Sequence, residues 1–64
     1  MRAGDDVTIR VGESRLPCNA RIVYHDRDED LFVVRFKNDA LNHTLEGDYR
    51  GREFYGAALR AMVE

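Results

Sequence analysis

The sequence predicts a mainly β protein, a small antiparallel barrel of four to five strands with a short C-terminal helical turn. Two β-rich runs joined by five charged residues occupy residues 19–37, and they indicate a long antiparallel hairpin. An earlier run, residues 7–11, alternates apolar and polar side chains as a strand covered on one face does. No long segment of helical periodicity precedes residue 57, so helix is expected only near the end of the chain.

The hairpin at residues 19–37 is predicted from alternation, because successive side chains of a strand point to opposite faces of a sheet. The alternation assigns to the core face Ala20, Ile22 and Tyr24 from the first run and Phe32, Val34 and Phe36 from the second. Between the runs, residues 26–30 (DRDED) hold four carboxylates, a composition typical of a solvated turn. The opposite face keeps an apolar strip made of Val23, Leu31 and Val33.

The other segments are shorter. Residues 12–17 are interpreted as a loop in which Leu16 tucks under the barrel, and residues 43–47 as a fourth strand. Glycines at 47, 51 and 56 then indicate a turn followed by a short strand or an irregular segment. Residues 57–63 fit either a helix that docks Leu59 and Met62 on the barrel or a closing fifth strand over residues 59–63.

Size and composition set limits on the kind of protein. The 64 residues predict one domain, 1–64, near the lower limit at which a single apolar core offsets chain entropy. The single cysteine excludes an internal disulfide, and no signal peptide or membrane span is recognised, so a soluble cytoplasmic protein is expected. The net charge of -2, with no basic tail, gives no general signal for nucleic acid.

Residues able to carry chemistry are few. His25 and His43 lie in separate elements, and no pair among Cys18, His25 and His43 has the spacing of a zinc site, so no metal or other cofactor is expected. No acid, base and nucleophile can be assembled from the pattern. The sequence therefore favours a noncatalytic interaction module, with a ligand-binding enzyme as the contrary class.

Three motifs resemble those of SH3-like barrels of the Tudor or KOW kind. They are residues 4–9 (GDDVTI), 20–24 (ARIVY) and 30–36 (DLFVVRF), which stand where such barrels carry G-D-x-V, A-x-I and a hydrophobic third strand. The resemblance implies the barrel fold. It implies no particular activity, since these elements recur in modules of unrelated function.

A fainter similarity is to the plasmid-borne dihydrofolate reductases built from small SH3-like subunits. It is carried by residues 4–7, 52–55 and 57–59. The V-Q-I-Y motif of that family stands here as residues 52–55 (REFY), which keeps the tyrosine but has Glu53 in place of the glutamine. The resemblance would imply a pterin and nicotinamide site, and the change at Glu53 removes a residue which that site uses.

Two binding surfaces are compatible with the pattern. The first is an aromatic and acidic surface for a cationic side chain, a protein or a peptide, made of Tyr24, Tyr49, Phe54 and Tyr55 beside Asp26, Asp28 and Asp48. The second is a basic face for the phosphates of RNA or DNA, made of Arg50, Arg52, Arg35, Lys37 and His43. The protein or peptide partner is the first hypothesis and nucleic acid the alternative; no membrane partner is expected.

Self-association is the last expectation. A small domain with an apolar strip at Val23, Leu31 and Val33 has more apolar surface than one core can cover, which predicts a symmetric homodimer. The competing possibility is that the C-terminal segment or the loop after strand one folds over the strip.

Overall fold

The computed structural model describes residues 1–45 and 50–64. The strands are β1 (Asp6–Val11), β2 (Leu16–Asp26), β3 (Leu31–Phe36), β4 (His43–Thr44) and β5 (Arg50–Tyr55), and helix α1 (Gly56–Met62) follows. A short 3-10 helix (Asp39–Leu41) lies between β3 and β4. The predicted mainly β architecture with a short C-terminal helical turn is confirmed, and residues 57–63 adopt the helical alternative.

The five strands form one antiparallel sheet in the order β1-β2-β3-β5-β4. The predicted hairpin is the pair β2 and β3, with the acidic segment at its turn. The loop expected at residues 12–17 is shorter, because Leu16 already pairs with Val11 as the first residue of β2. Leu16 is consequently 60% exposed and does not tuck under the sheet.

The core lies on one face of this sheet and is closed by the helix. The residues buried there are Ile9, Ala20, Ile22, Phe32, Val34, Phe36 and Leu59. Leu59 comes from α1 and is fully buried, so a helix of seven residues, too short to persist alone in water, is held by tertiary packing.

A β-bulge in β2 places Tyr24 on the face of the sheet opposite the one predicted for it. Ile22 pairs with Val34 but Tyr24 pairs with Val33, so Val23 is an extra residue without a partner on β3. An extra residue breaks strict alternation, and Val23 and Tyr24 are both exposed between the buried Ile22 and the half-buried His25. Tyr24, expected on the core face with Ala20 and Ile22, is 59% exposed.

The sheet is not closed by continuous strand pairing. Where a barrel would seal β1 against the end of the chain, the described residues contain a one-residue bridge between Ile9 and Val63. The Glu64 N–H donates to the Thr8 carbonyl at 2.9 Å beside it. Residues 59–62 of the alternative closing strand, 59–63, belong instead to helix α1. Val63 alone pairs with β1, through the bridge to Ile9.

Asp30 ties the β2–β3 turn to the start of α1. Its carbonyl accepts the Gly56 N–H at 2.7 Å, while its carboxylate accepts from Arg60 Nη1 at 2.9 Å and lies 2.8 Å from His25 Nε2. The hydrogen bonds from Arg60 and then His25 hold the pKa of Asp30 below its ordinary value. The His25 ring in turn stacks on Phe32, with 3.9 Å between the ring centroids.

The close approach at this junction leads to a prediction for Gly56→Ala. A Cβ at position 56 would overlap the Asp30 carboxylate and stand 2.6 Å from Arg60 Nη1. Because Asp30 and Arg60 are half-exposed and can move away by giving up their mutual hydrogen bonds, we expect the substitution to lower the free energy of unfolding by about 0.5–1.5 kcal/mol, the net contribution of such a bond, as measured by urea denaturation. In an Asp30→Gly background the same change should cost much less, and an equal cost in both backgrounds would show that the overlap is not the cause.

Candidate functional site

The strongest candidate site is the face of the sheet that points away from the core, here called the outer face. Strand pairing arranges β2, β3 and β5 in rows, one through Asp26, Leu31 and Tyr55 and the next through Tyr24, Val33 and Glu53. On β3 these positions alternate with the buried Phe32 and Val34. Their side chains therefore project on the side opposite the core.

Aromatic and apolar groups dominate the middle of the outer face. Tyr24 and Tyr55 are 59% and 64% exposed, and Val23 is 37% exposed. Leu31 and Val33, the other members of the predicted strip, are half-buried between them. The bulge adds to this surface, because it presents Val23 and Tyr24 side by side where a regular strand would present one residue.

The C-terminal segment and the loop after strand one were the two possible covers for the apolar strip, and neither lies over it. Helix α1 packs on the core side, with Leu59 buried among the core residues. The β1–β2 turn leans toward the helix, since Arg15 Nη2 donates to the Ala61 carbonyl at 3.5 Å. Within residues 1–45 and 50–64, Tyr24 and Tyr55 thus remain open to solvent.

At the far end of the outer face lies a basic cleft of about 480 Å³. Its lining residues are Asp6, Arg21, Val23, Arg35, Phe36 and Lys37. Asp6 and Arg21 form a two-pronged ion pair at 2.9 and 3.3 Å, and the hydrogen bond from Arg21 lowers the pKa of Asp6. Arg35 and Lys37 form no ion pair with any carboxylate in the described part of the chain. The cleft therefore carries more positive than negative charge.

Arg21 and Asp6 were not predicted as members of a site. The signal that could have found them is the pairing register, since Asp6 stands opposite Arg21 and Arg21 stands opposite Arg35. Opposite charges placed across neighbouring strands are favourable, whereas two facing arginines leave positive charge for another group to neutralise. The register is known only once the pairing of β1, β2 and β3 in the structure is known.

The side chain of Arg50, which was predicted to bind phosphate, forms hydrogen bonds within the protein instead. Its Nε donates to the Asp39 carboxylate at 3.1 Å, which lowers the pKa of Asp39. Its Nη2 donates to the Asn42 carbonyl at 3.1 Å and to the Asp39 carbonyl at 3.4 Å. This guanidinium joins the 3-10 helix to the start of β5, and few of its donors remain for a ligand.

The rest of the predicted basic set is divided between two faces. Arg35 and Lys37 line the cleft on the outer face. Arg52 pairs with the buried Val34 and covers the Phe54 ring, with its guanidinium carbon 5.2 Å from the ring centroid. His43 is exposed on β4, beside β5. The four remaining basic residues therefore do not form one continuous surface.

The predicted aromatic set is also divided. Tyr24 and Tyr55 lie on the outer face, with Asp26 in a neighbouring row position. Phe54 points to the core side, where it is partly buried and meets Phe36 edge-on with 6.5 Å between centroids. Tyr49, together with Asp48, lies outside the described residues. Of the three predicted aromatic residues that the structure describes, two thus contribute to the exposed surface.

Catalytic or metal-binding groups do not gather in the described residues. Cys18 and His25 stand seven positions apart on β2, roughly 24 Å at the rise of a strand. The His25 and Asp30 pair is occupied by Arg60 and by stacking on Phe32. Residues 1–45 and 50–64 contain no group of three or more His, Cys, Asp or Glu side chains placed to hold a metal ion.

Comparison with known proteins gives no relative. No family model matches the chain, and neither a curated protein nor a solved structure matches it. The resemblances to SH3-like barrels and to the small-barrel dihydrofolate reductases therefore stay predictions. Among the helices that the structure describes, none has the length and apolar character needed to span a membrane.

Proposed function

We propose that the protein is a noncatalytic interaction module that binds a protein or peptide partner through the outer face. The observation that supports this most is the pair of exposed tyrosines, Tyr24 and Tyr55, which flank the half-buried Leu31 and Val33 on a sheet surface left open by residues 1–45 and 50–64. Tyrosine supplies a large contact area at low entropic cost, and such residues are enriched where proteins bind one another.

Charges at the edge of this surface favour a partner with cationic side chains. Asp26 shares a row with Tyr55, and Glu53 shares a row with Tyr24. A lysine or arginine placed over a tyrosine ring gains cation–π attraction and can reach the neighbouring carboxylate. An aromatic surface with an acidic rim is thereby suited to a basic or mixed peptide.

Nucleic acid is less well supported as the partner. Arg50 is already bonded to Asp39 and Asn42, and Arg52 lies over Phe54 on the other face from Arg35. Arg35 and Lys37, which form no ion pair with another described residue, make a local patch rather than a track along a phosphate backbone. We also assign the protein to the reducing cytoplasm, in keeping with its unpaired Cys18.

The test is selection of displayed random peptides on the wild-type protein, followed by measurement of the dissociation constants. The Tyr24→Ser/Tyr55→Ser double variant should weaken binding of the selected peptides at least about tenfold, since exposed aromatic anchors carry much of an interface's energy. Leu16→Ser is the matched control, because Leu16 is 60% exposed but lies at the β1–β2 turn, away from the outer-face rows. Unchanged affinity of the double variant, or a wild type that neither enriches any peptide nor self-associates, would contradict the proposal.

A further inference from the structure

The charges of the outer face have opposite signs at its two ends. Leu31 and Arg35 lie two residues on either side of Val33 on β3. The row through Leu31 contains Asp26 and continues into the acidic turn, where Asp28 and Glu29 are exposed. The row through Arg35 contains Arg21, and Lys37 lies beyond it in the basic cleft.

Resting on the proposed function, we infer that the partner is a second copy of this chain, docked outer face to outer face. The two-fold axis would lie in the plane of the interface and cross β3 at right angles, at the level of Val33. Such an axis reverses the strand direction and lays each strand over its own copy. Val33 then meets its counterpart, and the Leu31 end of one sheet faces the Arg35 end of the other.

This arrangement brings opposite charges together at both ends of the interface. Asp26 of each copy comes opposite Arg21 of the other, and the turn bearing Asp28 and Glu29 comes over Lys37 and the cleft. An axis parallel to the strands would instead place the acidic end on the acidic end, which like-charge repulsion disfavours. One self-complementary surface thus supplies both partners of every contact, as a closed two-fold dimer requires.

Apolar and aromatic groups occupy the centre of the same surface on β2 and β3, and charges occupy its ends. Glu53 of β5 shares the central row and would face its counterpart at the edge of the interface, where it is exposed to solvent. Val33 and Tyr24 share the row on the axis, so both would be enclosed by their counterparts. Sheets packed in this way keep their strand directions within about 30° of each other, which allows side chains of the two faces to interdigitate. The acidic turn of the second copy would neutralise Arg35 and Lys37, which have no carboxylate partner among the described residues of one chain.

A charge-swap pair tests this geometry by sedimentation equilibrium from low to high micromolar concentration. The wild type should reach twice the 7.4 kDa mass of one chain, and high salt should weaken the association. Arg35→Glu/Lys37→Glu makes both ends acidic, and Asp28→Lys/Glu29→Lys makes both ends basic. Each variant alone should be monomeric while keeping the wild-type circular dichroism spectrum. An equimolar mixture should restore a heterodimer, because the acidic cleft of one faces the basic turn of the other.

The control separates this geometry from general attraction between oppositely charged proteins. Glu13→Lys/Ser14→Lys/Ala58→Lys makes the same change of net charge as the turn variant, but its residues are exposed at the β1–β2 turn and on α1, away from the outer face. Its mixture with Arg35→Glu/Lys37→Glu should show no heterodimer. A wild type that stays monomeric overturns the inference, as does a mixture of the charge-swap pair that fails to associate. A monomeric wild type whose selected peptides still depend on Tyr24 and Tyr55 would overturn the inference alone and leave the proposed function standing.

Discussion

Leu59→Ala is expected to lower the free energy of unfolding by about 2–5 kcal/mol, the range for truncating a buried leucine. Leu59 is fully buried and is the residue by which α1 enters the core. A domain of this size has a total stability of roughly 3–10 kcal/mol at ordinary values per residue. One truncation should therefore remove a sizeable share of the total and lower the midpoint of urea unfolding accordingly.

The measurement is urea denaturation followed by far-UV circular dichroism, since the chain has no tryptophan. Helix propensity cannot account for a loss, because alanine is a better helix former than leucine. Met62→Ala on the same helix is the matched comparison and should cost less, as Met62 is only half-buried. A change below about 0.5 kcal/mol for Leu59→Ala would contradict the role of this side chain as the anchor of α1.

Asn42→Ala is expected to cost about 2–4 kcal/mol, because it strands two backbone groups in a buried position. Asn42 is 4% exposed and is the buried polar side chain of the described residues. Its Oδ1 accepts the Phe36 N–H and its Nδ2 donates to the Phe36 carbonyl, both at 2.9 Å. The amide thus supplies the hydrogen bonds of the last residue of β3 on its β5 side, where strand pairing stops at Val34 and Arg52.

Asn42→Asp sharpens this test. The aspartate keeps an acceptor for the Phe36 N–H but turns the donor toward the Phe36 carbonyl into a second acceptor, so it should also destabilise. Asn38→Asp is the control, since Asn38 is exposed and caps the 3-10 helix, a position where aspartate serves equally well. Equal stability of the Asn42→Asp and Asn38→Asp variants would show that the donated hydrogen bond contributes little.

Side-chain alternation predicted the hairpin and most of its core face correctly. It placed Ala20 and Ile22 inside, and both are buried. It failed at Tyr24, because period-two counting assumes one residue per pleat and the bulge at Val23 inserts an extra one. Composition around the bulge contains no glycine or proline to signal it, so the change of face depends on pairing with β3.

The candidate site could be predicted only in part from the sequence, because it too depends on contacts between strands. Tyr24 and Tyr55 were assigned to an aromatic binding surface, although alternation also put Tyr24 on the core face, and Arg50 was grouped with Arg52, Arg35, Lys37 and His43 as a basic face. Its bonds to Asp39 and Asn42 arise because β4 and the 3-10 helix bring those residues to the start of β5. Contacts of this kind belong to tertiary structure, and no local pattern encodes them.

The one-residue bridge between Ile9 and Val63 has a consequence for aggregation. β1 is an edge of the sheet, and an unprotected edge strand offers its backbone N–H and C=O groups to any other extended chain. Val63 and Glu64 cover part of that edge through the bridge to Ile9 and the hydrogen bond from the Glu64 N–H to the Thr8 carbonyl. The packing of Leu59 in the core holds them there. Local opening there would uncover β1 without unfolding the β2–β3 hairpin. The last residues therefore act as a cap that keeps the molecule from joining edge to edge into longer sheets.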